Sequence, residues 1–115
     1  MIHPTASVHP TASVHPTAII GEGASIGPSA IVAPYAIIAE RVSIGSFARV
    51  GSGAIVAPGA SIGKDASIGE GAIIAPGVRV GEGASVGPYM IIGEGTIVGK
   101  NASVFKVVER EDVNG

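Results

Sequence analysis

The stretch Ile20-Gly21-Glu22-Gly23-Ala24-Ser25-Ile26-Gly27-Pro28 carries the rule by which the whole chain is written. An aliphatic residue is followed by Gly, two turn-forming residues, a small residue and one variable residue. The next aliphatic residue then falls six places on. Working outward in both directions, that position is filled without a slip from Ile2 through Val8, Val14 and Ile20 to Ile92, Val98 and Val104. The count is eighteen consecutive hexapeptides with no insertion. A period this strict sets the architecture before any single residue is considered.

Within each unit the positions differ in kind. Position three collects Pro4, Pro10, Pro16, Pro28, Pro34, Pro58, Pro76 and Pro88; position four collects Gly23, Gly53, Gly59, Gly71, Gly77, Gly83 and Gly95. Asp65 and Asn101 also stand at position four, where they tolerate a left-handed backbone. Position five is mostly Ala, with Val42, Val78, Met90, Thr96 and Val108 as the larger exceptions. Positions five, six, one and two therefore predict a short strand, and positions three and four a corner. Alternation along the strand turns positions five and one inward, and six and two outward. A helix is excluded, because the spacing does not follow a 3.6-residue period and Pro or Gly recurs too often.

Composition agrees with a narrow interior. Of 115 residues, 46% are hydrophobic but only 3% aromatic, and Cys and Trp are absent. Ala, Ile and Val must fill the core, with no disulfide framework and no thiolate chemistry. A net charge of -2 gives no electrostatic reason to expect nucleic acid or an anionic membrane as partner. Gly, Pro, Ser or Glu interrupts every apolar stretch well short of membrane-spanning length, and Met1-Ile2-His3-Pro4-Thr5 does not open a signal peptide. A cytoplasmic protein is the expectation.

The aliphatic-Gly/Ala-x-x-small-x signature over residues 2–107 resembles the hexapeptide-repeat family, whose fold is the left-handed parallel β-helix of bacterial acyltransferases. The opening, Ile2-His3-Pro4-Thr5-Ala6 through Ile20-Gly21-Glu22-Gly23-Ala24-Ser25, looks especially like UDP-N-acetylglucosamine acyltransferases and sugar O-acetyltransferases. The resemblance implies an all-β solenoid with three hexapeptides per triangular coil. The left hand comes from it alone, since the general rule for parallel crossovers gives the opposite hand. Eighteen hexapeptides then make six coils, starting at residues 2, 20, 38, 56, 74 and 92. One β-helix domain over 1–109 and a short charged tail over 110–115 follow.

A coil of eighteen residues stacks position six into three columns. The first is Ser7, Ser25, Ser43, Ser61, Arg79 and Ile97; the second is Ser13, Ile31, Arg49, Ser67, Ser85 and Ser103. The third is Ile19, Ile37, Ile55, Ile73 and Ile91, then Glu109, beside the nonpolar position-two residues Gly21, Ala39, Ala57, Ala75 and Gly93. Scattered exposed Ile needs no explanation, but a contiguous strip marks an interaction site. The related acyltransferases pack as trimers, so this face is expected to bind copies of the same chain. Five fully buried isoleucines would contribute on the order of 10 kcal/mol per chain before the costs of association.

Candidate chemistry is sparse. His3, His9 and His15 are the only histidines. The coil puts each on a different face, so they do not make a metal cluster. The family's histidine bases lie along the body of the helix, and His3, His9, His15, Pro4, Pro10 and Pro16 are therefore expected to cap the first coil. Three copies of His3 around a trimer axis are the residual possibility. Glu109, Arg110 and Glu111, with Asp112, are expected to cap the last coil, both ends being raw edges that invite stacking. Gly21/Gly23, Gly81/Gly83 and Gly93/Gly95 are corner glycines, because no helix follows as a dinucleotide fingerprint requires. Tyr35 and Tyr89 share one corner and Phe47 lies at a neighbouring one; packing on a turn is favoured over stacking on a nucleotide. No Ser-His-Asp set can be assembled, Glu22, Glu70, Glu82 and Glu94 are solubilising corner residues, and no cofactor is expected.

Relative to the enzymes it resembles, the chain extrudes no loop and carries no histidine in the middle of the stack. Residues 2–7, 8–13 and 14–18 are nearly one unit written three times, as in a duplicated, consensus-like or engineered solenoid. The sequence therefore predicts a structural, self-assembling scaffold, homotrimeric through the isoleucine face and without a catalytic site. The alternatives are an acyltransferase using acetyl-CoA or acyl carrier protein on a sugar, with sites between subunits, and a module that binds another protein through that face.

Overall fold

The computed structural model describes residues 1–105. Strands of two residues recur every six positions, from Ser7–Val8 to Ser103–Val104, and among the described residues there is no helix. Each strand pairs in parallel with the strand eighteen residues away, as Ser7 with Ser25 and Ile26 with Ile44. Three sheets result, two of six strands and one of five, wound as a left-handed triangular solenoid. Ile2 adds a single bridge to Ile20. Five complete coils and most of a sixth lie within the described residues. The end of the sixth coil, the boundary at 109 and the expected caps Glu109, Arg110 and Glu111 lie outside them.

The interior is the one the repeat predicts. Ala and Val at position five and Ile or Val at position one line a single core, from Ala18 and Ile20 to Val98, each no more than 4% exposed. No polar or charged side chain among the described residues is buried there. Each coil can cover its apolar row only with the coils above and below, so stability accumulates by nearest-neighbour stacking. The ladder takes up the backbone groups in step: the Ser25 N–H donates to the Val42 carbonyl at 2.8 Å, and the Gly27 N–H to the Ile44 carbonyl at 2.8 Å.

The corners follow one rule with one exception. From the second coil upward, every position-four residue within the described chain has a left-handed backbone, whether Gly23 (φ 68°) or Tyr35 (φ 64°), Arg41 (φ 56°) and Phe47 (φ 62°). From the third coil upward, Gly95 apart, this lets the corner N–H reach down to the position-three carbonyl of the coil below, as Arg41 N–H does to Glu22 at 2.8 Å. Thr5, Thr11 and Thr17 in the first coil are the exception, and their φ is not left-handed. Among the described residues no helix is long and apolar enough to cross a membrane.

Candidate functional site

The third face is the isoleucine ladder. Ile19 lies opposite Ile37, Ile37 opposite Ile55, Ile55 opposite Ile73 and Ile73 opposite Ile91, all in register. The middle three are 36–38% exposed, against 49% for Ile19 and 70% for Ile91. Strands one ladder step apart stand about 4.8 Å from each other, so each inner isoleucine is screened by the ones above and below. Ala39 and Ala75 beside them pack against the core, which keeps the strip flat. The other two faces are polar apart from Ile31 and Ile97, which stand alone on theirs.

The three histidines sit at three successive corners of the first coil, and each makes the same arrangement. Nδ1 of His3, His9 and His15 accepts the backbone N–H of Thr5, Thr11 and Thr17 at 3.1, 3.1 and 3.2 Å. The threonine hydroxyls also meet those Nδ1 atoms at 2.9, 2.9 and 2.8 Å. Each hydroxyl oxygen in turn accepts a corner N–H from the second coil: Gly23 at 3.0 Å, Ser29 at 2.9 Å and Tyr35 at 3.0 Å. The threonine oxygen thus stands where every later coil uses a position-three carbonyl, and the imidazole satisfies an N–H with no coil beneath it. Because Nδ1 is an acceptor, the neutral ring carries its proton on Nε2. The sequence assigns the capping role to the histidines and prolines and not to the threonines. Their signal was Thr at position four, where the other corners favour Gly, Asn or Asp.

Beside one of these corners lies an open cavity of about 350 Å³ on the first face, lined by Ser7, Val8, His9, Pro10, Ser25, Ile26, Gly27, Pro28 and Ile44. Small side chains at positions six and two leave the backbone accessible there. His9 lines the cavity together with the serines Ser7 and Ser25. His3, His9 and His15 remain at separate corners, and among the described residues no three His, Asp or Glu side chains converge so as to hold a metal ion. The corner carboxylates form one ion pair within the described residues, Glu40 with Arg41 at 3.8 Å, on an exposed corner where such pairs contribute little. Tyr35 and Tyr89 are both 70% exposed. The Tyr89 ring lies over the corner below it, since a Cβ built on Gly71 would come within 2.5 Å of that ring.

No curated protein matches the chain in sequence. Among solved structures, a GDP-perosamine N-acetyltransferase from Caulobacter crescentus, in complex with CoA and GDP-perosamine, is 26% identical with a TM-score of 0.75. The match covers 89% of this chain and 50% of that one. The acetyltransferase domain of PglB from Neisseria gonorrhoeae, in complex with acetyl coenzyme A, is 27% identical with a TM-score of 0.66, over 88% of this chain and 54% of that one. The N-acyltransferase AntD from Bacillus cereus shares the fold at 17% identity, with a TM-score of 0.77 over 88% of this chain and 74% of that one. The chain thus spans about half the length of the two acetyltransferases.

These likenesses overturn the expectation of a purely structural scaffold. That expectation rested on an unbroken repeat with no extruded loop. The solved structures it resembles at 26–27% identity are acetyltransferases on the same β-helical fold, which favours the other reading. The acyltransferase alternative is the better supported of the two. A family model also matches residues 1–75, well over half of the chain, and the chain belongs to the GMPPB C-terminal domain family.

Proposed function

We propose that this chain is the β-helical part of a hexapeptide-repeat acyltransferase. It moves an acyl group from acetyl-CoA or an acyl carrier protein to a sugar, at sites completed between subunits. The observation that carries this reading is the likeness, at 26–27% identity, to two acetyltransferases solved with CoA and GDP-perosamine or with acetyl coenzyme A. In the transfer, an acceptor oxygen or nitrogen attacks the thioester carbonyl. The carbon–sulfur bond breaks, and the thiol leaves with the proton the acceptor loses. In this reading His9, which lines the cavity on the first face, donates through its Nε2–H to a carbonyl oxygen or a phosphate. It is not the base in this arrangement, because its Nδ1 is occupied by Thr11 and its Nε2 already carries a proton. A cytoplasmic setting belongs to this reading through its thioester donor, not through any feature of the chain's ends.

The partner in this proposal is the chain itself, through Ile19, Ile37, Ile55, Ile73 and Ile91. Partial exposure lowers the expected gain. The area still open on the five isoleucines amounts to a little over two whole side chains, worth about 5 kcal/mol per chain rather than ten. Titration calorimetry with acetyl-CoA, followed by a transfer assay on an amino sugar, tests the enzymatic reading. Saturable micromolar binding with thiol release is expected. Heat no greater than dilution, together with no thiol release, overturns it.

A further inference from the structure

Aromatic residues are scarce in this chain, with two Tyr and two Phe, and none of them is in the core. Tyr35 and Tyr89 are 70% exposed, Phe105 59% and Phe47 57%. All four lie around one face. The second sheet runs through Ser13, Ile31, Arg49, Ser67, Ser85 and Ser103. Phe47 stands on the corner where the chain enters this sheet, and Tyr35 and Tyr89 on the corner where it leaves. Phe105 follows the last described strand of this sheet and packs near Gly87, 3.1 Å from where a Cβ would be.

Three of the four hold left-handed backbones, at 64° for Tyr35, 62° for Phe47 and 62° for Tyr89. Such a backbone disfavours a bulky L-residue and carries a steric cost at each. Packing returns little of that for Tyr35, which is mostly in solvent. Between the two tyrosines the exit corner is bare at Gly53, where a Cβ would have no heavy atom within 4 Å. Since the Tyr89 ring leans down over Gly71, the opening at Gly53 lies between the tyrosines and in the same coil as Arg49. Among the described residues Arg49 has no carboxylate within ion-pair distance.

We propose that this second face binds an uncharged saccharide chain, with sugar rings lying on Tyr35, Tyr89 and Phe47 and hydroxyls bonded to Arg49 and the serines. Two features select this ligand. The charges around the face are of both signs: Arg49 on the floor, Lys64, Asp65, Glu82 and Lys100 along the entry corner, and Glu70 on the exit corner. Hydroxyls donate and accept, so they satisfy both kinds of group, whereas a polyanion would meet the three carboxylates Asp65, Glu70 and Glu82. A peptide adding as a strand is excluded, because the backbone hydrogen bonds of the face are consumed in stacking the coils. The surface is open and flat, which suits an extended chain gripped through ring faces and not a small molecule needing enclosure. The inference stands on this placement and not on acyl transfer.

The test is an amide-shift titration of the full chain with cellohexaose and with chitohexaose at millimolar concentration, without acyl donor. Saturable shifts confined to Phe47, Arg49, Gly53, Ser67 and the two tyrosine corners are expected with at least one. Tyr35→Asn and Tyr89→Asn keep a residue type that tolerates the left-handed corner. Each should lower affinity roughly tenfold while the thermal midpoint stays at or above that of the parent. No saturable shift with either oligosaccharide, shifts confined to the other two faces, or preferential salt-sensitive binding of polyphosphate overturns the proposal. Loss of this binding with acetyl-CoA binding intact removes the saccharide face and leaves the proposed function standing, and the reverse holds too.

Discussion

Replacing Ile55 with Asp tests self-association at the centre of the ladder. Ile55 has Ile37 below and Ile73 above and is 36% exposed. Removing its remaining open area from the interface loses about 1 kcal/mol at most. The larger effect is the carboxylate, which a packed partner would desolvate among isoleucines at a cost of several kcal/mol. Unlike Lys, Asp is too short to carry its charge out to water. The association gain from the whole ladder is about 5 kcal/mol per chain before entropic costs, so the substitution should abolish it. Within the single chain the position is on the surface, and the change costs about 1 kcal/mol in strand preference. Sedimentation velocity at micromolar concentration should show trimer for the parent and a folded monomer for Ile55→Asp, with circular dichroism unchanged. A monomeric parent, or an Ile55→Asp variant that remains trimeric, refutes the reasoning.

Gly69→Ala should destabilise by roughly 1–3 kcal/mol, because its Cβ would stand 2.6 Å from the Pro88 nitrogen and 2.7 Å from the Gly87 carbonyl carbon. Gly93→Ala, with nothing within 4 Å, should lie within about 0.5 kcal/mol of the parent; urea melts compare the two, and equal midpoints would defeat the steric account. Thr11→Val takes away the acceptor for the Ser29 N–H and a partner of His9 Nδ1, an exposed pair of contacts worth about 0.5–1.5 kcal/mol. Hydrogen exchange at Ser29 should quicken selectively, and unchanged protection there would mean the hydroxyl is dispensable. Tyr35→Gly relieves the left-handed strain at the corner and should raise the unfolding free energy by about 1 kcal/mol, read from the same melts; a fall would show that the ring packs more than its exposure indicates.

Much of this was legible because the repeat is local in origin. Gly, Asn and Asp at position four announce corners, and the six-residue recurrence of Ile and Val announces the inward row. The columns at positions six and two needed only the eighteen-residue coil that the family resemblance supplied. Tyr35, Phe47, Arg41 and Ser29 were not legible as left-handed corners. Residue preference argues against that conformation for all of them, and it is imposed by the coil below, where the corner N–H must meet its acceptor. The reading of function from the lack of loops failed for a related reason. The period reports how the coils stack, and the likeness to acetyltransferases bears on activity where the period does not.

The sequence by itself determined the strand, the corner and the inward row, because each follows from short-range geometry and a fixed period. With the three-hexapeptide coil implied by the resemblance, it also determined which residues form the isoleucine strip. Tertiary structure alone decided how much of that strip remains open, since neighbouring coils screen its middle members. It also decided that three threonine hydroxyls replace backbone carbonyls beneath the second coil, and that the chain's few aromatic rings gather around one face. Those facts depend on which corner stands above which, a distance of one whole coil along the chain that no local pattern measures.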